Sequence, residues 1–339
     1  MLAAVLHGRE DIRIQDVDPA PLQPGEVRVR IGAALTCGTD LKVYRRGYHA
    51  RMLVPPCVFG HEFAGTVVES RAESGDWSPG CRVVAANSAP CGTCAPCARG
   101  QENLCDDLLF LNGAYAESIV VPERIVRRNL LRLGDATPFA AAALTEPLAC
   151  VVQGIDDLRL QAGENVLVLG SGPIGLFAAV LARHAGCHVT VVGRGGERLA
   201  RAQALGAHEA IANESPEGIA APALGGRRFD AVFEAVGKPS VWEAAVGFVR
   251  KGGRANLFGG CPAGTTVRLD TTLLHYSNLT LLASFHHTPR AIRRALALIE
   301  TGIVRGADFV DGRVALPELP EAFRAMAAGN RAVKTHVET

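Results

Sequence analysis

The sequence predicts an α/β and β chain of two parts, an antiparallel β module followed by an α/β module built on a parallel sheet. Three observations predict it. Short stretches of polar/apolar alternation broken by Pro and Gly fill the chain up to about residue 150. Apolar strands alternating with helical patterns follow. The 339-residue length exceeds what one hydrophobic core usually organises.

In the first part, Asp11–Gln15 alternates polar and apolar residues, Pro19–Gly25 is a turn-rich connector, and Val27–Ile31 alternates again at period two. The same alternation returns at Phe63–Glu69 and Arg82–Ala86. In the second part, Asn165–Leu169 is a fully apolar strand, and a helical stretch follows it to Ala185. His188–Val192 is a second strand, Glu197–Gly206 reads as a helix, and Phe229–Glu234, Arg254–Phe258 and Leu279–Phe285 read as further strands. Strands separated by helices imply parallel pairing. Arg290–Thr301 carries a helical pattern, and pattern alone does not assign the remaining tail to either module.

Composition excludes several classes. With 35 Lys+Arg against 34 Asp+Glu the formal charge is +1, so no global field attracts a polyanion and nucleic acid is not an expected partner. The most apolar long segment, Val166–Ala182, is interrupted by Gly170, Gly172, Pro173 and Gly175, which argues against a membrane span. The apolar run at the N-terminus ends at Leu6 without a basic start, so no export signal is read there and a cytoplasmic setting is expected. Ten cysteines in a reducing compartment point to metal binding rather than a disulfide framework.

Four of those cysteines crowd together as Cys91-Gly-Thr-Cys94-Ala-Pro-Cys97 and Cys105. Four soft thiolates enclose Zn²⁺ tetrahedrally and leave no open position, which makes such a site structural. Gly92, Pro96 and Gly100 supply the tight turns. Unrelated buried cysteines and an iron–sulfur cluster are the competing readings.

A second, dispersed set comprises Cys37 in Thr-Cys-Gly-Thr-Asp, His61-Glu62 in Phe-Gly-His-Glu, and Glu146 in Leu-Thr-Glu-Pro. One thiolate, one imidazole and carboxylates suit zinc, and three protein ligands leave a position for water or substrate. Singly these residues are weak signals, since a lone Cys is usually a small core residue and a lone His a satisfied hydrogen-bonder. Asp40 is a candidate to receive the second ring N–H of His61 and fix its tautomer. Thr39 brings a hydroxyl beside the same set.

Gly170-Ser-Gly172-Pro173-Ile174-Gly175 directly follows an apolar strand and opens a helix, the context in which a Gly-rich turn binds a dinucleotide pyrophosphate. The competing reading is a turn used only for helix–strand packing. At the end of the next strand an Asp or Glu normally accepts the ribose hydroxyls. Gly193 stands there instead, followed by Arg194 and, one helical turn on, Arg198. Loss of the carboxylate removes repulsion of a 2′-phosphate and a guanidinium pairs with it, so NADP is favoured over NAD.

Together these residues resemble the zinc-containing medium-chain dehydrogenase/reductase family, in the branch holding sorbitol and L-threonine dehydrogenases. The motifs run the length of the chain: Cys-Gly-Thr-Asp at 37–40, Gly-His-Glu at 60–62, the four-cysteine lobe at 91–105, Glu-Pro-Leu at 146–148 and Gly-Ser-Gly-Pro-Ile-Gly at 170–175. The resemblance implies a GroES-like catalytic domain over residues 1–150 with a structural-zinc lobe at about 88–108, a Rossmann domain over 151–287, and a return to the catalytic domain over 288–339. It implies an active site in the cleft between domains, with Phe285-His286-His287 near the crossover. Ala235-Val236-Gly237 and Phe258-Gly259-Gly260 match strand ends that border the cofactor. Cys37 and His61 become ligands of a catalytic zinc, while Glu62 and Glu146 share the remaining direct or water-mediated roles, giving two zinc ions per chain.

Two positions depart from the pattern. Where relatives carry a His that relays the alcohol proton, this chain has Lys42, which leaves the relay beyond Thr39 open. Cys81 replaces an Asp and is expected as a buried packing residue. The implied reaction is hydride transfer between a secondary alcohol or polyol and NAD(P), with Thr39, Lys42 and Glu62 as catalytic candidates. An L-threonine or amino-sugar dehydrogenase is the rival enzyme, and an inactive NADP-binding regulatory protein is the rival of another class. The expected partner is a small hydroxylated molecule, with Arg45, Arg46, Tyr48 and His49 as a polar loop that either meets it or is simply solvated. Similar proteins are usually homodimers or homotetramers.

Overall fold

The computed structural model describes residues 1–49, 51–73, 75–213, 224–329 and 332–339. The chain divides into two compact units, Met1–Ala149 with His287–Thr339, and Cys150–His286.

The first unit is built on antiparallel β-structure. Its largest sheet has the strand Val27–Leu35 near its middle, paired with Glu62–Ser70 on one side and Lys334–Glu338 on the other, and also with Ser118–Val121. The period-two patterns of the sequence locate Val27–Leu35 and Glu62–Ser70, but both run longer than the alternation marks, and Ser118–Val121 and Lys334–Glu338 are not marked by it. Val27–Leu35 continues through Ala33, Ala34 and Leu35, all buried, because the strand passes from a half-solvated face into the core. The unassigned tail belongs to this sheet: Val310–Ala315 pairs parallel with Lys334–Glu338, which pairs antiparallel with Val27–Leu35.

An aromatic cluster fills the core of this unit. Phe59, Tyr115, Phe323 and Tyr44 pack with ring centroids 5.4–6.1 Å apart. Each fully buried ring contributes about 2–3 kcal/mol of apolar burial, so the cluster is a rigid support. Gly60, at φ +88°, lies against it, and a Cβ there would stand 2.7 Å from the Tyr115 ring. Only glycine fits between this cluster and His61.

The second unit carries a six-stranded sheet in the order Glu209–Ala212, His188–Gly193, Asn165–Leu169, Phe229–Glu234, Val249–Leu257, Thr280–Leu282, with every pair parallel. In chain order this is 3-2-1-4-5-6, the doubly wound Rossmann arrangement. The apolar run read from Val166 to Ala182 resolves into a strand and the 12-residue helix Pro173–His184. Three strands differ from expectation, the first being Glu209–Ala212, which no sequence pattern marks and which pairs beside His188–Gly193. Val249–Leu257 begins before Arg254, because Gly252 at φ +71° carries the chain through a bulge opposite Phe229–Ala231. Leu279–Phe285 pairs only at Thr280–Leu282, since Ser284 leaves the ladder to donate to Asp157 and accept from Asn256.

Among the described residues the 20-residue stretch Phe139–Leu158 has the length and hydropathy of a membrane span, but 67% of its apolar window is buried within the protein. That burial, together with Glu146 inside it, marks a core helix.

Candidate active site

Cys37 ends an extended segment and caps the helix Gly38–Arg46. Its Sγ accepts from the Thr39 amide at 3.4 Å, and Asp40 Oδ2 accepts from the Cys37 amide at 3.1 Å. This reciprocal capping box is a local consequence of the Cys-Gly-Thr-Asp sequence, with sulfur in the place usually taken by Ser or Thr. It holds the thiol at the helix N-terminus, where the backbone dipole favours a thiolate.

The same Asp40 reaches across to the next strand. Its Oδ1 lies 2.9 Å from His61 Nδ1. Tyr115 Oη stands 2.6 Å from Asp40 Oδ2 and 3.1 Å from the Leu35 carbonyl. Asp40, His61 and Tyr115 are all buried, so this arrangement orients the imidazole from behind.

Glu62 is completely buried, and both of its oxygens contact the Nζ of Lys334, which is only 2% exposed. Burial pushes the Glu62 carboxyl well above its usual range while Lys334 pulls it down. Burial also disfavours the Lys334 ammonium, but Glu62 and Cys37 outweigh that and raise it. Two carboxylate oxygens facing one ammonium is the geometry of an ionised pair, and we read it so. Around Cys37, burial raises the thiol, but the charges of Lys334 and His61 prevail and bring it down to about 7. Burial alone would neutralise His61, yet Asp40 and Cys37 raise it well above the ordinary histidine value. Glu146 is pushed up to about 7, chiefly by burial.

One ligand atom each from Cys37, His61 and Glu62 lie within 4.8 Å of one another. Thiolate, imidazole and carboxylate in one buried cluster fit a zinc ion. Glu146 falls outside that triplet; its Oε1 is 3.8 Å from His287 Nε2, which is 3.1 Å from Asn87 Oδ1. Thr39 is half-buried and Lys42 exposed, on one face of the helix that Cys37 caps. Of the polar loop, Arg45 donates to the Ala327 carbonyl and His49 Nδ1 accepts from the Arg51 and Met52 amides, so local structure accounts for both. Cys81 is half-buried rather than buried: its thiol donates to the Asp76 carbonyl near the surface.

The four sulfurs of Cys91, Cys94, Cys97 and Cys105 also lie within 4.8 Å of one another. The Cys94–Cys105 separation is 3.8 Å, and four sulfurs at about 2.3 Å from a central zinc lie about 3.8 Å apart. Backbone amides already face the sulfurs: Cys91 Sγ accepts from the Thr93 and Cys94 amides at 3.4 and 3.3 Å, and Cys105 Sγ from the Cys91 amide at 3.2 Å. The Thr93 and Cys94 groups pull the Cys91 thiol down to about 5. A closed four-thiolate zinc site fits these residues.

In the second unit the Gly-rich turn has the backbone its motif requires. Gly170 sits at φ +116°, and a Cβ on Gly175 would stand 1.9 Å from the Gly170 carbonyl oxygen. The helix Pro173–His184 begins at Gly172 without a side-chain cap, so the Ile174 and Gly175 amides face the space where an anion would sit. Gly193 is buried at the end of the second strand, Arg194 is exposed, and Arg198 is half-buried on the helix Gly196–Ala204. Glu234, buried and not singled out by the sequence, accepts from the amides of Val236 at 2.7 Å, Gly237 at 2.9 Å and Gly259 at 3.2 Å. It ties together the loops carrying Ala235, Val236 and Gly259.

Sequence reasoning also missed Lys334 and Tyr115. Lys334 lies 272 residues from Glu62, and a single Lys in a C-terminal strand carries no local signal. Tyr115, between short apolar stretches, reads as a core aromatic and is one.

Comparison with known proteins agrees with this arrangement. Residues 23–129 match the alcohol dehydrogenase GroES-like domain, and residues 173–301 match the zinc-binding dehydrogenase domain. A D-altritol 5-dehydrogenase of Agrobacterium fabrum is 35% identical over 319 residues, covering 91% of each chain. A sorbitol dehydrogenase of Bacillus subtilis is 26% identical over 99% of this chain and 97% of its own. Among solved structures, a zinc-binding dehydrogenase of Sinorhizobium meliloti bound to NADP superposes with a TM-score of 0.89 at 29% identity, covering 100% of this chain and 99% of that one. With its fold, its two cysteine-bearing ligand clusters and these matches taken together, the chain belongs to the zinc-dependent alcohol dehydrogenase family, enzymes that move a hydride between an alcohol and a nicotinamide cofactor.

Proposed function

We propose that the protein is a polyol dehydrogenase that oxidises a secondary hydroxyl of a sugar alcohol, with NADP as its preferred hydride acceptor and two zinc ions per chain. The observation that carries this reading is the buried cluster of Cys37, His61 and Glu62, braced by Asp40 and Lys334. The D-altritol enzyme at 35% identity favours a polyol, and the NADP-bound relative, with Gly193 and Arg194 at the strand end, favours NADP.

A zinc ion bound at the cluster supplies Lewis acidity that lowers the pKa of an alcohol, and the nicotinamide supplies the hydride acceptor. This chain's own groups do the rest. Cys37, His61 and Glu62 hold the metal, Lys334 balances the Glu62 charge by engaging both of its oxygens, and Glu146, outside the triplet, takes the water-mediated role. Thr39 accepts the alcohol proton at its hydroxyl oxygen and releases its own hydroxyl proton toward solvent, on the helix face that also carries Lys42. Cys91, Cys94, Cys97 and Cys105 hold the second ion and shape their lobe. Ten free thiols suit a reducing cytoplasm, and a homodimer or homotetramer is the assembly we infer.

The test is a spectrophotometric panel of hexitols, pentitols, sugar acids and amino alcohols, each with NAD and with NADP. Reduction of NADP by a polyol and not by L-threonine is the expected outcome. Turnover confined to amino alcohols would move the protein to the L-threonine dehydrogenase type, and no reduction by any alcohol in metal-replete protein would leave a binding protein without catalysis.

A further inference from the structure

Position 193 is closed to any side chain. Gly193 ends the second strand of the parallel sheet, where a carboxylate would receive a ribose diol, and a Cβ built there would stand 2.4 Å from Ser171 Oγ, 2.5 Å from Ser171 Cβ and 2.8 Å from Ser171 N. No real Cβ tolerates such approaches, two of them to atoms that cannot rotate away. The closeness has a local cause. Ser171, buried in the Gly-rich turn, brackets the peptide that follows Gly193: its hydroxyl donates to the Arg194 carbonyl at 2.8 Å and accepts from the Arg194 amide at 3.1 Å. One hydroxyl thereby staples the phosphate-binding turn to the end of the second strand.

We propose that Ser171 is a specificity-determining residue for the cofactor: by stapling the turn onto residue 194 it makes glycine obligatory at 193, keeps a carboxylate out of the ribose site, and leaves that site to a 2′-phosphorylated dinucleotide. The proposal rests on the NADP reading above and adds a steric cause to it. Absence of a carboxylate at 193 is a property of two residues, 171 and 193. It follows that the usual single exchange toward NAD, Gly193→Asp, fails by itself. The carboxylate repels the phosphate of NADP, while the displaced turn also loses its grip on the pyrophosphate shared with NAD. Removing the Ser171 side chain frees the turn to withdraw and lets the carboxylate occupy its place.

The experiment is a double-mutant cycle read by equilibrium binding. Dissociation constants for NADP and NAD are measured by calorimetry on the full-length wild type, Ser171→Gly, Gly193→Asp and Ser171→Gly/Gly193→Asp. We expect the wild type to prefer NADP and Gly193→Asp to weaken both dinucleotides by about tenfold or more. The double variant should then bind NAD at least about tenfold more tightly than Gly193→Asp does, with NADP still weak. Gly193→Ala separates bulk from charge: it should weaken both dinucleotides alike, and Ser171→Gly should restore them. Additive effects across the cycle, or a Gly193→Asp chain that takes up NAD without help from position 171, overturn the proposal while the dinucleotide reading stands. A wild type that binds neither dinucleotide, or prefers NAD, overturns the reading beneath it. Should Gly193→Asp fail to fold, the alanine pair decides the question.

Discussion

Lys334 and Glu62 illustrate how one contact sets the chemistry around it. A carboxylate that is fully buried survives as a charge only with a partner, and Lys334 supplies that partner to both oxygens. Replacing Lys334 by Met leaves the Glu62 charge unpaired, and the expected cost is about 3–5 kcal/mol in urea unfolding. Adding Glu62→Gln should recover a large part of it, since the unpaired charge is then gone; equal losses in the single and double variants would show that the lysine acts by packing. Tyr115 serves the site more gently. Its hydroxyl lies 2.6 Å from Asp40 Oδ2, and Tyr115→Phe keeps the ring in the aromatic cluster. The expected result is a loss of about 1–3 kcal/mol in stability and a weakening of zinc affinity at the Cys37–His61 site by about 10–100-fold. A competition titration against a chromophoric chelator measures it, and unchanged affinity would mean that Asp40 orients His61 unaided. Asp40, His61, Cys37 and Glu62 were legible in the sequence because together, in their motifs, they make a zinc-compatible set. Lys334 and Tyr115 were not, because their partners are remote in sequence and nothing local distinguishes a buried lysine from a solvated one.

The helix Gly38–Arg46 shows an element whose start the sequence encodes locally: Cys37 and Asp40 cap it reciprocally, so the candidate ligand is positioned by the helix it begins. Strand ends in the parallel sheet depend on longer connections. Arg254, in the strand Val249–Leu257, grips Glu164 through two contacts, 2.9 Å to Oε1 and 2.6 Å to Oε2, and also reaches the carbonyls of Leu158 and Arg159. It anchors the chain just before the first strand of that sheet. Burial raises the Glu164 carboxyl, but Arg254 and the Gln161 amide outweigh it and hold it below its ordinary value. A carboxylate with a depressed folded-state pKa contributes stability that is present above its unfolded value of about 4.3 and lost as pH falls through the folded one. Arg254→Met should therefore cost about 1–3 kcal/mol at neutral pH, and its stability curve should converge on that of the wild type once pH falls below the depressed folded value of Glu164. A difference that persists undiminished in acid would assign the effect to lost packing of the arginine stem. Periodicity located this strand's apolar half but not its beginning, since a bulge at Gly252 is a backbone event that apolar patterning does not register.

For the molecule entire, the two proposed ligand sets predict two kinds of metal loss. Elemental analysis of protein purified without chelator should give about two zinc ions per chain. Mild chelation should first remove the ion held by Cys37 and His61, because an open site exchanges more readily than a closed four-thiolate one, and activity should fall before the melting temperature does. Activity and melting temperature falling together at every chelator concentration would mean that the two ions are not functionally distinct.

Periodicity, capping and ligand spacing are local properties of the chain, and they alone carry the two-part architecture, the parallel sheet with its Gly-rich turn and both sets of candidate metal ligands. Where the last fifty or so residues belong, the pairing of Lys334 with Glu62, and the closing of position 193 by Ser171 emerge from the folded chain alone. Each of these joins segments whose approach is set by packing of the whole core, and no short stretch of sequence carries the distance between two residues that meet only when the chain has folded.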